Sequence, residues 1–157
     1  MRIRTVAAAL AAVAVSAGAA APVLANVHGS SDARAASAAT IKLGRTNAGQ
    51  LVETASGLTL YTFSRDGRDR DTCLGVSGCA SVWPPYTVTG NLTAGSGVKR
   101  ALLGSINLGH ARHQVTYAGH PLYLYAGDST QGDTGYLGYT SFGGTRLGIG
   151  ASGQSVR

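Results

Sequence analysis

The sequence has 157 residues and a mass of 15.8 kDa, room for one domain. Its formal net charge is +6, from 13 Lys and Arg against 7 Asp and Glu spread thinly along the chain. That size and balance exclude a multidomain enzyme, a coiled coil and a polytopic membrane protein.

The chain opens with Arg2 and Arg4, followed by an apolar stretch over residues 6–24 built largely of Ala and Val. Ser16, Gly18 and Pro22 interrupt the stretch, which suits a cleaved secretory leader better than an anchor. Val23-Leu24-Ala25 offers small or modest side chains where a signal peptidase reads, so residues 1–25 are expected to be a signal peptide. There is no Arg-Arg pair in the leader, which favours general secretion over twin-arginine export. No later stretch nears the roughly 18 apolar residues of a spanning helix. Residues 26–40, rich in Ala and Ser, are expected to form a flexible tether, since they have little to bury. A β-rich domain is expected over residues 41–150 and a disordered tail over 151–157. Cys73 and Cys79 are the only cysteines, and neither lies near the leader to carry a lipid. The mature chain is therefore expected to be secreted, extracellular or associated with the cell wall, and not lipid-anchored.

From Ile41 onward the apolar period is two. Leu58-Thr59-Leu60-Tyr61-Thr62-Phe63 and Pro121-Leu122-Tyr123-Leu124-Tyr125 read as short strands bounded by Gly and Asp. The chain contains 23 Gly, a density that breaks helices and suits short strands and tight turns. The one expected helix is residues 97–104, about two turns long.

Self-comparison shows an internal repeat. The run from Gly57 through Leu60, Tyr61 and Phe63 to Asp66 aligns without a gap on the run from Gly119 through Leu122, Tyr123 and Tyr125 to Asp128. The same alignment places Asp71-Thr72 on Asp133-Thr134. Strand candidates at 50–54 and 114–117 precede the two copies, so each copy reads as a β-hairpin with a short Gly-containing turn. The expected fold is all-β: two pseudo-repeated hairpin units packed as one small domain, with a short helix at most between them. Alternation puts Tyr61 and Phe63 on one face, Tyr123 and Tyr125 on one face, and Leu60, Leu122 and Leu124 on the other. Asp66 and Asp128 fall where a strand gives way to a polar loop. A carboxylate there accepts hydrogen bonds from loop N–H groups and fixes the exit. The sharper alternative is a catalytic carboxylate pair meeting across a pseudo-twofold axis.

These residues, with Thr72-Cys73, Gly78-Cys79-Ala80-Ser81-Val82-Trp83-Pro84-Pro85, Gln114-Val115-Thr116-Tyr117 and Phe142-Gly143-Gly144, resemble a bacterial family of secreted repeats of unknown function. That family is also described as predicted lipoproteins with a Tyr-x-(Phe/Trp/Tyr)-x-x-Asp motif. The resemblance runs from about Gly49 to Gly144 and implies an extracytoplasmic β-rich repeat protein with no assigned activity. Three features depart from it. The lipid-attachment cysteine is missing, the two cysteines enclose five residues where many relatives enclose about three, and Thr145 stands where relatives often place an aromatic.

The remaining chemistry-bearing residues give few complete sets. An even pair of cysteines in a secreted chain points to a Cys73–Cys79 disulfide, a local staple contributing about 2–3 kcal/mol by loop-closure entropy. Trp83-Pro84-Pro85-Tyr86 is stiffened by its prolines and serves either as packing or as an exposed aromatic platform for a ligand. His110 and His113 are the metal-ligand candidates, but His120 lies across a strand, roughly 15 Å away at ~3.3 Å per residue, and cannot join them. Arg65, Arg68 and Arg70 are interleaved with Asp66, Asp69 and Asp71, which argues against both a nucleic-acid patch and a calcium loop. No nucleophile elbow, nucleotide loop or zinc-protease motif is present. The function expected is a non-enzymatic structural or binding module of the envelope or medium. It would have no cofactor, an unknown envelope or extracellular ligand, no nucleic-acid partner and no transmembrane segment. The alternatives are an extracytoplasmic metal-binding or redox accessory protein and, behind it, a small hydrolase using the repeated aspartates.

N-terminal sequencing of the protein from culture supernatant is expected to read from Asn26. Recovery only from the membrane fraction, with Met1 retained, would overturn the leader assignment.

Overall fold

Alternating side chains and a tight turn build the first hairpin. Strands β1 (Thr40–Thr46) and β2 (Gly49–Thr54) pair antiparallel, with Thr46 opposite Gly49. The computed structural model describes residues 40–157, so the signal peptide expected at 1–25 and the tether expected over 26–40, up to residue 39, lie outside the described residues. Thr40, read as the end of the tether, is the first residue of β1. A three-residue turn, Ala55-Ser56-Gly57, then reverses the chain; Gly57 N–H donates to Thr54 O at 3.0 Å and Thr54 N–H to Leu58 O at 2.9 Å. Gly57 closes this turn at φ +91°, a backbone region that favours glycine. The returning strand is irregular. Leu60 N–H bonds Val52 O at 3.1 Å, Thr59 bridges Glu53, and regular pairing is confined to β3 (Thr62–Phe63).

A 3-10 turn (Cys73–Gly75) and a one-turn helix α1 (Cys79–Val82) follow. Two short strands come next, β4 (Thr87–Val88) and β5 (Thr93–Ala94). The second hairpin is β6 (Leu103–Gly109) with β7 (Arg112–Tyr117). The turn after β7 has two residues, Ala118 at φ +54° and Gly119 at φ +82°, the pairing that matches strand twist. It returns the chain as β8 (His120–Pro121), with Leu122 N–H bonding Val115 O at 2.9 Å. Then come β9 (Thr140–Ser141), β10 (Gly144–Ile149) and β11 (Ser155–Val156).

The repeat is therefore longer than one hairpin. Strands β6 and β7 repeat β1 and β2, with Leu103 at the place of Thr40 and Tyr117 at the place of Thr54. The two-residue turn then brings the second copy one position earlier than the three-residue turn brings the first, so Leu122 answers Leu60. The closing strands are exchanged. In the first repeat, residues 84–88 lie on the second hairpin: Leu124 N–H donates to Pro84 O (3.0 Å), Tyr86 N–H to Leu122 O (2.9 Å), and Thr87 pairs with Gln114. In the second, β10 lies on the first hairpin, with Arg146 opposite Phe63 and Leu147 opposite Thr62. Three sheets result, in the orders β2-β1-β5, β11-β10-β3 and β4-β7-β6.

The two central strands separate two cores. On one side Ile41, Val52, Leu60, Val88, Val115, Tyr117, Leu122 and Ile149 are buried together, with Leu124 packed at the margin. On the other lie Tyr61, Phe63, Cys73, Cys79, Trp83 and Tyr123. The alternation of leucine and tyrosine divides in space as the period of two requires.

Two expectations need correction. Residues 97–104 do not form a two-turn helix. Only the 3-10 turn Arg100–Leu102 forms, because Lys99 on one side of it and Leu103 on the other are extended, and Leu103 already pairs with Tyr117. A segment that short has too few internal bonds to outweigh this pairing. The tail at 151–157 is not structureless: Ser155 and Val156 pair with Ile149 and Gly148, and Gly150 N–H bonds Gln154 O at 2.9 Å.

Truncating either central leucine should leave a cavity between strands that cannot collapse. Leu60→Ala and Leu122→Ala are each expected to lower unfolding free energy by about 2–5 kcal/mol, measured by urea denaturation. A cost under ~1 kcal/mol would place these side chains outside the core.

Candidate functional site

The repeated motif meets itself at the centre of the molecule. Tyr61 N–H donates to Tyr123 O and Tyr123 N–H to Tyr61 O, both at 2.9 Å, so the two tyrosines form one antiparallel pair on the pseudo-twofold axis. Their rings leave the pair on the face away from the leucines, and their hydroxyls cross. Tyr123 Oη donates to Asp66 Oδ2 at 2.7 Å, and Tyr61 Oη to Asp128 Oδ2 at 3.1 Å. Each tyrosine thus reaches the aspartate of the other repeat.

Turns hold the aspartates in place. Asp66 N–H donates to Phe63 O (2.9 Å) and Asp128 N–H to Tyr125 O (3.1 Å), the same reversal in both copies. Asp66 Oδ1 then accepts the N–H and the hydroxyl of Thr72, both at 2.8 Å, fixing the loop exit as the sequence implied. Asp128 departs from that expectation: the tyrosine bond serves Oδ2, and Oδ1 is buried without a partner among the described residues. Burial pushes both carboxyls above the ordinary carboxylate range. The bonds from Thr72 and Tyr123 pull Asp66 back, and the bond from Tyr61 pulls Asp128 back. The nearby like charge is local in each case, Asp71 for Asp66 and Asp133 for Asp128. Burial, together with those carboxylates, raises both tyrosines and keeps them neutral donors.

The third motif position frames a buried cation. Arg146 is fully buried, and its guanidinium carbon lies 3.9 Å from the centroid of Phe63, 4.6 Å from that of Trp83 and 4.7 Å from that of Tyr123. Its Nη2 donates to Cys79 Sγ at 3.2 Å and Cys73 Sγ at 3.4 Å. The cysteines form the expected disulfide, itself fully buried. Burial lowers the Arg146 pKa to about 10, with Tyr123, Asp66 and Asp71 acting in the opposite sense. Ring faces supply cation–π attraction where Nε and Nη1 find no hydrogen-bond acceptor among the described residues.

Trp83 is fully buried at the hub of an aromatic cluster. Tyr61 stands edge-on at 5.2 Å, Tyr125 is tilted at 4.9 Å, and Tyr136 stands edge-on at 6.0 Å. Of the two readings of Trp83, Pro84, Pro85 and Tyr86, the tryptophan follows packing and not an exposed platform. Trp83 faces the disulfide core, while Pro84 and Tyr86 spend their main-chain groups on the second hairpin. His110 is exposed and His113 half-buried, and among the described residues no group of three His, Cys, Asp or Glu could hold a metal.

Sequence reasoning missed Arg146, Tyr136 and the exchange of hydroxyls. Asp71 and Asp133 carried a signal, since they occupy matching places in the two repeats. In the structure each caps its own loop, through Leu74 N–H at 3.0 Å and Gly135 N–H at 2.9 Å. A cleft of about 210 Å³ lies elsewhere, lined by Arg68, Asp69, Leu103, Gly104, Thr116 and Gly119, and touches no motif residue.

A family model described as a secreted repeat of unknown function matches residues 42–87 and 111–144, just over half the chain. The first match covers the first hairpin through Thr87, and the second covers β7 to the start of β10. Neither the curated proteins nor the solved structures contain a match to the chain.

The crossed bonds carry a pH signature. Asp66 and Asp128 have raised folded-state values, so their contribution to stability is present below the unfolded value and is lost as pH rises through the folded one. Tyr123→Phe removes a bond that favours the Asp66 carboxylate and raises that folded value further. The variant should lose about 1.5–3 kcal/mol at neutral pH, the scale of a hydrogen bond to a charged group. The deficit should shrink as pH falls through the Asp66 transition. Urea unfolding at a series of pH values measures both; a variant as stable as wild type at neutral pH would contradict the geometry.

Proposed function

Because the chain belongs to the family of secreted repeats of unknown function, we propose that it works as a non-enzymatic structural or binding module of the cell envelope or the extracellular medium. One observation carries this reading: the motif residues with chemical potential are bonded to each other across the pseudo-twofold axis. The hydroxyls of Tyr61 and Tyr123 donate to Asp128 and Asp66, and Arg146 is enclosed by three rings and a disulfide. Groups engaged in that way hold a scaffold rigid; they are not presented to a substrate. The like charges that perturb the two aspartates come from their own loops, which weighs against a hydrolytic pair.

A second reading, a redox accessory protein, draws on the Arg146 guanidinium beside both sulfurs. A cation there would favour a thiolate if the pair were reduced. Complete burial of both sulfurs supports the staple instead, since exchange requires a thiolate to reach one of them.

Complementation of a deletion strain, with cosedimentation on purified cell walls, separates the readings. Tyr61→Phe, Asp66→Asn and Asp128→Asn are expected to lower melting temperature and secreted yield together. The folded fraction of each should keep wild-type wall binding and phenotype. A variant that melts like wild type yet fails to complement would establish a chemical role for that residue and reject the scaffold reading. The disulfide should resist millimolar glutathione in the native protein; ready reduction there would favour the redox reading.

A further inference from the structure

The two repeats differ at one sheet edge. Beyond β1 lies β5: Thr40 and Ile41 pair with Thr93 and Ala94, Leu43 N–H donates to Ser96 O, and Gly95 N–H donates to Ile41 O, the last two at 2.8 Å. Strand β6 is the counterpart of β1. The strand that follows the closing strand in the second repeat is β11, and it pairs with β10 instead. The sheet β4-β7-β6 therefore ends on β6 among the described residues.

Hydrogen bonding on β7 shows which groups of β6 face outward. Val115 donates its N–H to Tyr86 O and accepts Leu122 N–H, both at 2.9 Å. It has no main-chain group left for Ser105, its partner on β6. Ser105 consequently turns its own N–H and C=O away from β7, and alternation does the same for the Asn107 N–H and the Leu103 C=O. The Leu103 N–H is satisfied by Arg100 O. The strand reads Leu103-Gly104-Ser105-Ile106-Asn107-Leu108-Gly109, without the charges or proline that commonly block an edge. Ser105 and Asn107 are exposed.

We propose that β6 pairs antiparallel with β6 of a second copy of this chain, about a twofold axis at Ser105. An uncharged edge meets its own copy without repulsion, and this edge is self-complementary. The two Ser105 residues exchange two main-chain bonds, and each Asn107 N–H meets the opposite Leu103 C=O, four bonds in all by this register. The molecule already joins like strands in this way at Tyr61 and Tyr123. The proposal does not depend on the functional reading above.

The mature full-length chain is tested by sedimentation over a range of concentrations, with amide exchange read at Ser105 and Asn107. Wild type should be a dimer, and protection of both amides should rise with concentration. Ser105→Lys faces its own copy with a like charge, and Ser105→Glu does the same with the opposite sign; each should be monomeric with an unchanged melting profile, and an equimolar mixture should form a heterodimer. Ser105→Pro, which removes the outward donor, should also be monomeric. A wild-type monomer throughout, a Ser105→Lys dimer, or protection that ignores concentration would overturn self-pairing. The last result would assign the edge to residues 26–39 or to another protein.

Discussion

The main-chain pair between Tyr61 and Tyr123 is the constraint on which the rest of the structure depends. Two copies of one motif approach antiparallel, so what the Tyr61 ring does the Tyr123 ring does in reverse. A hydroxyl leaving that pair cannot reach the aspartate of its own strand, which has passed through a turn by then. It reaches the aspartate of the partner strand, and the equal spacing from Tyr61 to Asp66 and from Tyr123 to Asp128 recurs for that reason. Each carboxylate is half-buried and each phenol fully buried, so the phenols have no bulk water as an alternative partner.

The same axis explains how a fully buried arginine is tolerated. Desolvating a guanidinium costs several kcal/mol unless its surroundings respond. Here the response is distributed: three ring faces, two sulfur acceptors, and the nearby negative charge of Asp66 and Asp71. The disulfide loop has a further role beyond restricting the unfolded chain, because its sulfurs form one wall of the arginine site. In the first repeat the place that Arg146 takes in the second belongs to Trp83, since Ala126 N–H donates to Val82 O as Ser64 N–H donates to Thr145 O, so the pseudo-symmetry is broken where the cation enters.

Much of the fold was legible because it rests on local periodicity. A period of two separated Leu60 and Leu122 from Tyr61 and Tyr123, and the Gly-containing turns marked the hairpins. An even number of cysteines in a chain expected to be secreted pointed to the disulfide. What was not legible depends on which repeat touches which. A carboxylate at a strand end looks like a turn cap for its own loop; that held for Asp66 and its Thr72 partner but not for Asp128. Trp83 before two prolines reads as packing with a surface platform as the lesser alternative, and the partners that bury it, Tyr61, Tyr125 and Tyr136, are a long-range fact. Nothing around Arg146 announces a core residue, since Thr145, Arg146 and Leu147 alternate like any half-exposed strand. Residues 97–104 misled because a Lys-Arg-Ala-Leu-Leu run favours helix locally, and the pairing of Leu103 with Tyr117 outweighs that preference.

The exchanged closing strands also govern when the molecule can take shape. Residues 84–88 belong with a hairpin whose last strand is not complete until Tyr125, and the first hairpin waits for β10 at residues 144–149. A chain that emerges amino end first presents its first repeat with no phenol for Asp66 and no cation for Phe63. Its contact order is high by construction, and neither half encodes a finished folding unit. The disulfide loop and the hairpins of β1 with β2 and of β6 with β7 are local closures, whereas both cores draw on residues from β1 to β10, so their consolidation waits for nearly the whole chain.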